Sequence, residues 1–343
     1  MREHWIKRLG TQRSGFRYVD PDGRTIRDLR VVTRIDALRI PPAWRDVHVA
    51  PDARRSVQAW GYDARGRKQY RYNQRAVERR ELRKYHRVRQ LARSLPRIRQ
   101  MLRSESRRRE LTRDTVCAIA LRLISESLFR PGSERYVKEN GSFGITTLRK
   151  THVELSDDGA VFSYPGKSNK RQLQRIVNAD LVRLVARVHR TPGSRLFRYR
   201  DGDNWCDLDA RTLMYYLRTK IGPFAVKDFR TWGGTLRAAT VLSELGKPRS
   251  ATEAKRNVAL AMRLVSAELG NTPAICRSSY VHPMVLARYL DAGETIVPRA
   301  GPRAHASAQS FAHSPEERAL IAFLARHFPE RRRRPREALA RAA

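Results

Sequence analysis

Apolar positions along the chain follow two different periods, and the period changes once. In the first stretch, apolar and aromatic residues alternate with polar ones between turn-forming clusters, as expected for strands with one buried face. Phe16-Arg-Tyr-Val19, Asp20-Pro-Asp-Gly23 and Arg24-Thr-Ile26 predict a hairpin about a tight turn. Ile40-Pro-Pro-Ala-Trp44 reads as a rigid extended stretch, followed by short strands near 47–49 and 57–60. Asp63-Ala-Arg-Gly-Arg67 is a turn that leads into the alternating strand Gln69-Tyr-Arg-Tyr72. Residues 1–80 are therefore expected to form a small β-rich domain.

From about residue 80 the spacing becomes helical. Leu91, Leu95, Ile98 and Leu102 share one helix face, and Pro96 is expected to kink or split that segment. Residues 115–129 are apolar on most sides and predict a buried helix. Residues 151–155 and 161–164 predict a hairpin around Asp157-Asp-Gly159, opening into Pro165-Gly-Lys-Ser168. Later helices have good starts: Asn178 before 179–189, Asp209 before 210–220, and Ser250 with Glu253 as a capping box. That last helix is expected to run to Leu269 and stop at Gly270. Residues 81–296 thus read as a mainly helical domain. From Val297 the composition shifts to Pro, Ala, Arg, Ser and His, which predicts a linker. A short docking helix at 314–327 follows, on Leu320, Phe323 and Leu324. Arg331-Arg-Arg-Arg-Pro-Arg336 completes 297–343 as a solvated basic tail.

Charge adds the partner. The 343 residues carry 71 Lys+Arg against 34 Asp+Glu, a net +37, with 41% hydrophobic residues. Such a chain holds enough apolar residues to fold, and the polyanion that suits a basic surface of this size is nucleic acid. Sixty of the basic residues are arginine, whose planar fork suits phosphate oxygens. No run approaches the roughly 18 apolar residues of a membrane span, since residues 118–124 are interrupted by Arg122. The start, Met1-Arg-Glu-His-Trp-Ile-Lys7, lacks the apolar stretch of a secretory leader. Cys117, Cys206 and Cys276 form neither a disulfide framework nor a metal-ligand spacing. They fit a reducing cytoplasm, with Cys117 a small core residue.

The chemistry is constrained by omissions. Gly166-Lys167-Ser168 lacks the upstream glycine of a phosphate-cradling nucleotide loop, because position 161 is Val. No HExxH, carboxylate cluster or Cys/His ligand set appears, so no metal and no cofactor is expected. Metal-free phosphoryl transfer needs fixed cationic donors, a proton donor for the leaving oxygen and an in-line nucleophile. Four contexts offer them: Arg130-Pro-Gly-Ser-Glu-Arg-Tyr136 after the buried helix, Gly166-Lys167 past the hairpin, Lys227-Asp-Phe-Arg-Thr-Trp-Gly-Gly234 entering a helix, and the stretch from Gly270-Asn-Thr-Pro to Arg277-Ser-Ser-Tyr280 leaving one.

With Ile40-Pro-Pro-Ala-Trp44 and Gly66-Arg-Lys-Gln-Tyr-Arg-Tyr72, these stretches, in this order and spacing, resemble the type IB DNA topoisomerases of the bacterial and poxvirus-like branch. The resemblance spans residues 40–283, some 70% of the chain. It implies an α+β protein in which a small β-rich N-terminal domain and a mainly helical catalytic domain of the topoisomerase IB and tyrosine recombinase type form a clamp around DNA. It also implies Tyr280 as the nucleophile that captures a DNA 3′-phosphate, Arg130 and Arg230 as clamps on that phosphate, and Lys167 as the acid for the 5′-oxygen. Asn271 stands where many relatives carry histidine; its amide can donate a hydrogen bond but not a proton. Tyr70, Tyr72 and Tyr136 match DNA-contacting positions, and Lys227 lies three residues before Arg230. Taken singly, each of these residues has an ordinary structural reading: Tyr280 is one of twelve tyrosines, and Tyr70 and Tyr72 simply share a strand face.

Three functions remain open from the residues. A monomeric, ATP-independent topoisomerase on cytoplasmic, nucleoid-associated duplex DNA is the first. A tyrosine recombinase shares the Arg, Lys, Arg, Tyr chemistry but usually carries His where Lys227 stands. A non-enzymatic DNA-coating protein would need only the charge.

Overall fold

The computed structural model describes residues 4–299 and 311–329. They fall into two compact units that divide between Lys84 and Tyr85. The basic run at 331–336 and most of the expected linker lie outside the described residues.

The first unit is an antiparallel sheet of five strands in the order β2-β1-β3-β4-β5. They are β1 (Ile6–Thr11), β2 (Gly15–Val19), β3 (Arg45–Val49), β4 (Val57–Tyr62) and β5 (Lys68–Tyr72). One helix, α1 (Leu29–Ala37), completes it. Its core gathers Ile6, Tyr18, Val47, Val49 and Ala59 from the strands with Ile35 from the helix. Strands near 47–49, 57–60 and 69–72 were anticipated; β1 and α1 were not.

Two expectations change here. Residues 16–19 pair with β1 through the turn at 11–15, while 24–26 return only as a single bridge from Thr25 to Val19. The reason is local: Asp20 closes the turn through the amides of Asp22 and Arg24, and eight residues later Asp28 already caps α1 at Arg30. The Ile40–Trp44 stretch is turned rather than extended. Trp44 N–H donates to Pro41 O at 3.1 Å, with Pro42 presetting φ at the second turn position.

Helix α2 (Gln74–Ser106) begins in the first unit and continues into the second. It runs unbroken through Pro96, so the segment is not split there. Proline removes the amide that would have met the carbonyl of Ala92. That buried carbonyl instead meets His313 Nε2 at 2.7 Å, so the gap in the ladder is filled from a distant segment.

The second unit is mainly helical. Helix α3 (Arg113–Ser127) is buried on nearly every side and ends at Leu128 in the left-handed conformation, φ 57°. After α4 (Glu134–Asn140), the strands β6 (Val153–Ser156), β7 (Gly159–Pro165) and β8 (Arg171–Ile176) form an antiparallel sheet in that order. The expected hairpin is its first half, and β8 is an addition. Next come α5 (Ala179–His189), the hairpin of β9 (Arg198–Asp201) and β10 (Asn204–Asp207), and α6 (Ala210–Tyr216). The core then takes α7 (Val226–Leu245), α8 (Ala251–Leu269), the short α9 (Pro273–Ser279), α10 (Pro283–Ala292) and α11 (Pro315–His327). Asn178, Asp209 and Ser250 cap their helices as expected, and Ser314 caps α11. Helix α3, one turn of which is Leu121, Leu123 and Ile124, sits at the centre of one continuous apolar cluster. Cys117 lies within it, and burial pushes its thiol up to about 12. No described helix is long and apolar enough to cross a membrane.

Candidate active site

The ends of two helices face a third. An α-helix leaves its last carbonyls without intrahelical partners and carries partial negative charge there. Helix α3 ends at Leu128 and α8 ends at Gly270, which is left-handed at φ 59°. Arg230, on α7 and 2% exposed, donates from Nη1 to Leu128 O and from Nη2 to Leu269 O at 2.8 Å. Arg130, just past α3, donates from Nη2 to Gly270 O at 2.7 Å and to Asn271 Oδ1. Two guanidiniums are thus plugged by their η nitrogens into two helix C-termini.

Three donors are left over. Arg130 Nε, Arg230 Nε and Asn271 Nδ2 are buried and meet no nitrogen or oxygen partner among the described residues. The Cys276 sulfur, a weak acceptor, lies within reach of the Asn271 side chain. A buried donor without an acceptor costs about 1–3 kcal/mol, and more when charged. Burial pulls the Arg230 pKa down, and repulsion from Arg130 adds to it while the neighbouring Tyr280 opposes it. A guanidinium nevertheless stays protonated in proteins. The arrangement is a charged donor set suited to an anion with several oxygens.

Tyr280 lies beside it. Its ring is half-buried, with its centroid 5.2 Å from the Arg230 guanidinium carbon and 5.2 Å from Lys227 Nζ. The backbone is held from α7: Thr235 Oγ1, whose hydroxyl donates to Thr231 O at 2.6 Å, accepts from His282 N–H at 3.0 Å and lies 3.3 Å from Tyr280 O. Since Arg230 and Thr235 share one helix, the cation and the phenol are placed by the same rigid element. The start of α7 is fixed in turn by Asp228, buried at 1% exposure. Its carboxylate accepts from Ala225 N–H at 2.8 Å and from Arg87 Nε and Nη2 at 2.6 and 2.9 Å. Lys227 itself is exposed.

Lys167 stands in the turn between β7 and β8, exposed, and outside this network of contacts. Beneath the turn lies Tyr164, which sequence reading passed over as a hairpin residue. Burial pushes its phenol up to about 12, although the nearby Arg230 and Arg130 pull the other way. Its O–H donates to Gln174 Oε1 at 3.3 Å. Tyr164 is therefore neutral and shielded, and Tyr280 is the tyrosine beside the arginines that is open to solvent. Thr235, Asp228, Gln172 and Gln174 were also missed. For the glutamines a signal existed: 172 and 174 alternate with Arg171, Leu173 and Arg175, the pattern of a strand with one polar inner face.

The remaining expected residues form surface features in their own units. In the first unit Tyr70 and Tyr72 are 43% and 39% exposed, with ring centroids 5.9 Å apart. The strip continues through Lys68, whose Nζ lies 3.6 Å from the Trp60 ring, and Arg80, 5.0 Å from Tyr72. His48 stacks on Trp60 at 4.0 Å. Trp60 was legible as the cross-strand partner of Tyr70, yet was read only as a strand residue. In the second unit Tyr136, on α4, is 58% exposed. Aromatic faces beside cations suit a phosphate-and-sugar surface.

Known proteins resemble the chain in sequence. Residues 69–297 match the family model of the eukaryotic DNA topoisomerase I catalytic core, and residues 15–63 match that of the bacterial DNA topoisomerase IB N-terminal domain. DNA topoisomerase 1B of Acanthamoeba polyphaga mimivirus is 31% identical over 298 residues, covering 84% of this chain and 89% of the relative. DNA topoisomerase 1B of Vaccinia virus (strain Copenhagen) is 23% identical over 243 residues, 67% of this chain and 72% of its own length. The core match takes in Arg130, Lys167, Arg230, Asn271 and Tyr280 together. A likeness this long makes the chain a member of the type IB DNA topoisomerases, an enzyme that binds duplex DNA and changes its topology.

Proposed function

We propose that this enzyme relaxes supercoiled duplex DNA by cutting and resealing one strand through a 3′-phosphotyrosyl link at Tyr280, without ATP and without a metal ion. The observation that carries the reading is the trio of buried, unmet donors on Arg130, Arg230 and Asn271 beside a half-buried phenol. The Tyr280 oxygen attacks the phosphorus, its P–O bond forms, and the bond to the 5′-oxygen breaks. Arg130 and Arg230 hold the nonbridging oxygens, where charge grows in the transition state. Asn271 adds one neutral donor to the same oxygens. Lys167 gives its proton to the departing 5′-oxygen, a strong base that otherwise leaves slowly. The phenol proton passes to water as the oxygen attacks, and Lys227 lies beside the ring, 5.2 Å from its centroid. The covalent link conserves the phosphodiester's energy, so resealing is the same path reversed and needs no nucleotide.

While the strand is open, the free 5′ end lets the downstream duplex rotate and release supercoils of either sign. The protein acts as a monomer on duplex DNA, with Tyr70, Tyr72 and Tyr136 on the DNA backbone. Two guanidiniums supply the positive charge that a metal ion supplies in other phosphoryl-transfer sites. The test is relaxation of positively and negatively supercoiled plasmid in EDTA with no nucleotide. Both substrates should relax, and Tyr280→Phe should relax neither. Loss of all strand passage in EDTA would overturn the metal-free reading.

A further inference from the structure

One side chain of the Lys167 hairpin, Gln172, reaches the corner of the arginine site. Strand β8 presents Gln172 and Gln174 on the same face as Tyr164 and Phe162 of β7, with which they pair in register. Gln174 fixes the middle of the hairpin: its Oε1 accepts from Tyr164 and its Nε2 donates to Ser127 O, the last residue of α3, at 3.1 Å. Gln172, two residues nearer the tip, sits between two glycines. A Cβ on Gly166 would lie 2.5 Å from Gln172 Cγ, and a Cβ on Gly270 would lie 1.8 Å from Gln172 Oε1. Neither position accepts a side chain while Gln172 keeps its place.

These contacts join two parts of the site. On one side, Gln172 Nε2 donates to Lys170 O at 3.2 Å, and the same carbonyl accepts from Gly166 N–H at 2.8 Å, closing the turn that contains Lys167. On the other side lies Gly270, whose carbonyl holds Arg130 and whose successor Asn271 accepts from the same nitrogen. The lysine itself is exposed and otherwise set apart, so its distance to a bound phosphodiester depends on where the turn is anchored. We propose that Gln172 is a positioning residue for strand cleavage: it registers the Lys167 turn against the Gly270–Asn271 corner, so that the proton donor and the phosphate-holding groups address the same phosphodiester. This rests on the reading of Lys167 as the acid.

The test compares single-turnover cleavage of a duplex with oxygen or with sulfur at the bridging 5′ position. A thiolate, whose conjugate acid has a pKa of about 8.5, leaves without an acid, whereas an alkoxide does not. Displacement of a catalytic group by about 1 Å costs up to about a hundredfold. Gln172→Ala should bind DNA as the parent does, cleave the oxygen substrate about ten- to a hundredfold more slowly, and recover most of that loss on sulfur. Gln172→Met, which fills the same space but cannot donate to Lys170, should give the same pattern and serves if the alanine variant is unstable. Equal slowing on both substrates, or no slowing, would overturn the proposal. Lys167→Ala, run alongside, separates the two ideas. If sulfur rescues it but not Gln172→Ala, the positioning role fails alone; if sulfur does not rescue Lys167→Ala, the acid fails and the positioning role with it.

Discussion

At the scale of single residues, the site is two arginines whose outer nitrogens are used structurally and whose inner nitrogens are not. Arg230 is committed to the carbonyls of Leu128 and Leu269, and Arg130 to those around Gly270. Removing either guanidinium should slow cleavage by two to three orders of magnitude, since one donor to a growing oxyanion is worth roughly 3–4 kcal/mol. Burst measurements of covalent complex under single-turnover conditions on Arg130→Ala and Arg230→Ala check this; a loss below tenfold would remove that arginine from the phosphate. Asn271→Ala should lose less than either, because its donor is neutral. Candidates for this chemistry, Arg, Lys, Asn and Tyr in this order, were legible in the sequence. What holds them was not. The acceptors are backbone carbonyls of Leu128, Leu269 and Gly270, and any residue type supplies a carbonyl.

Among the elements, α11 is a docked part of the second unit. His313 satisfies the carbonyl that Pro96 orphans in α2, and His313→Ala should lower stability by about 1–3 kcal/mol, the cost of leaving a buried acceptor unmet. Urea unfolding checks it, and Pro96→Ala in the same background should restore most of the loss by returning the amide. Glu317 ties the helix further: Arg99 Nη2 donates to it at 2.6 Å and Trp232 Nε1 at 3.5 Å. Burial alone would raise the Glu317 carboxyl, but the hydrogen bonds and charge of Arg99 outweigh it and leave the pKa below its ordinary 4.5. A depressed folded pKa contributes stability that is full above 4.5 and lost as pH falls through the folded value. The melting temperature of the parent should therefore fall more steeply below pH 4.5 than that of Glu317→Gln; parallel curves would show no contribution from this pair. Helices with strong caps were legible, because Asn178, Asp209 and Ser250 act within three residues of themselves. Strand β8 and helix α1 were not. Arg171–Ile176 reads as polar until its inner glutamines find Ser127 and Gly270, and α1 follows its turn too closely to stand out. The continuity of α2 through Pro96 depends on a residue more than two hundred positions away.

Across the whole molecule, the net charge of +37 is the physical basis of DNA affinity, and family membership directs it to duplex DNA. Binding through phosphates releases counterions, so affinity should fall by about 10³–10⁵ between 50 and 200 mM salt if six to ten phosphates are contacted. Tyr280→Phe should follow the same salt dependence as the parent, since it loses chemistry and not charge. The partner class was legible from charge, and the hydrophobic period changes near residue 80, close to where the two units divide. The most direct measurement is the identity of the covalent bond. The enzyme is mixed with supercoiled plasmid in EDTA, stopped with detergent, digested with nuclease and protease, and its adduct mapped by mass spectrometry. One nucleotide-bearing peptide is expected, modified at Tyr280, with the DNA joined through its 3′-phosphate. An adduct on another residue, a link through a 5′-phosphate, or full relaxation by Tyr280→Phe would contradict it.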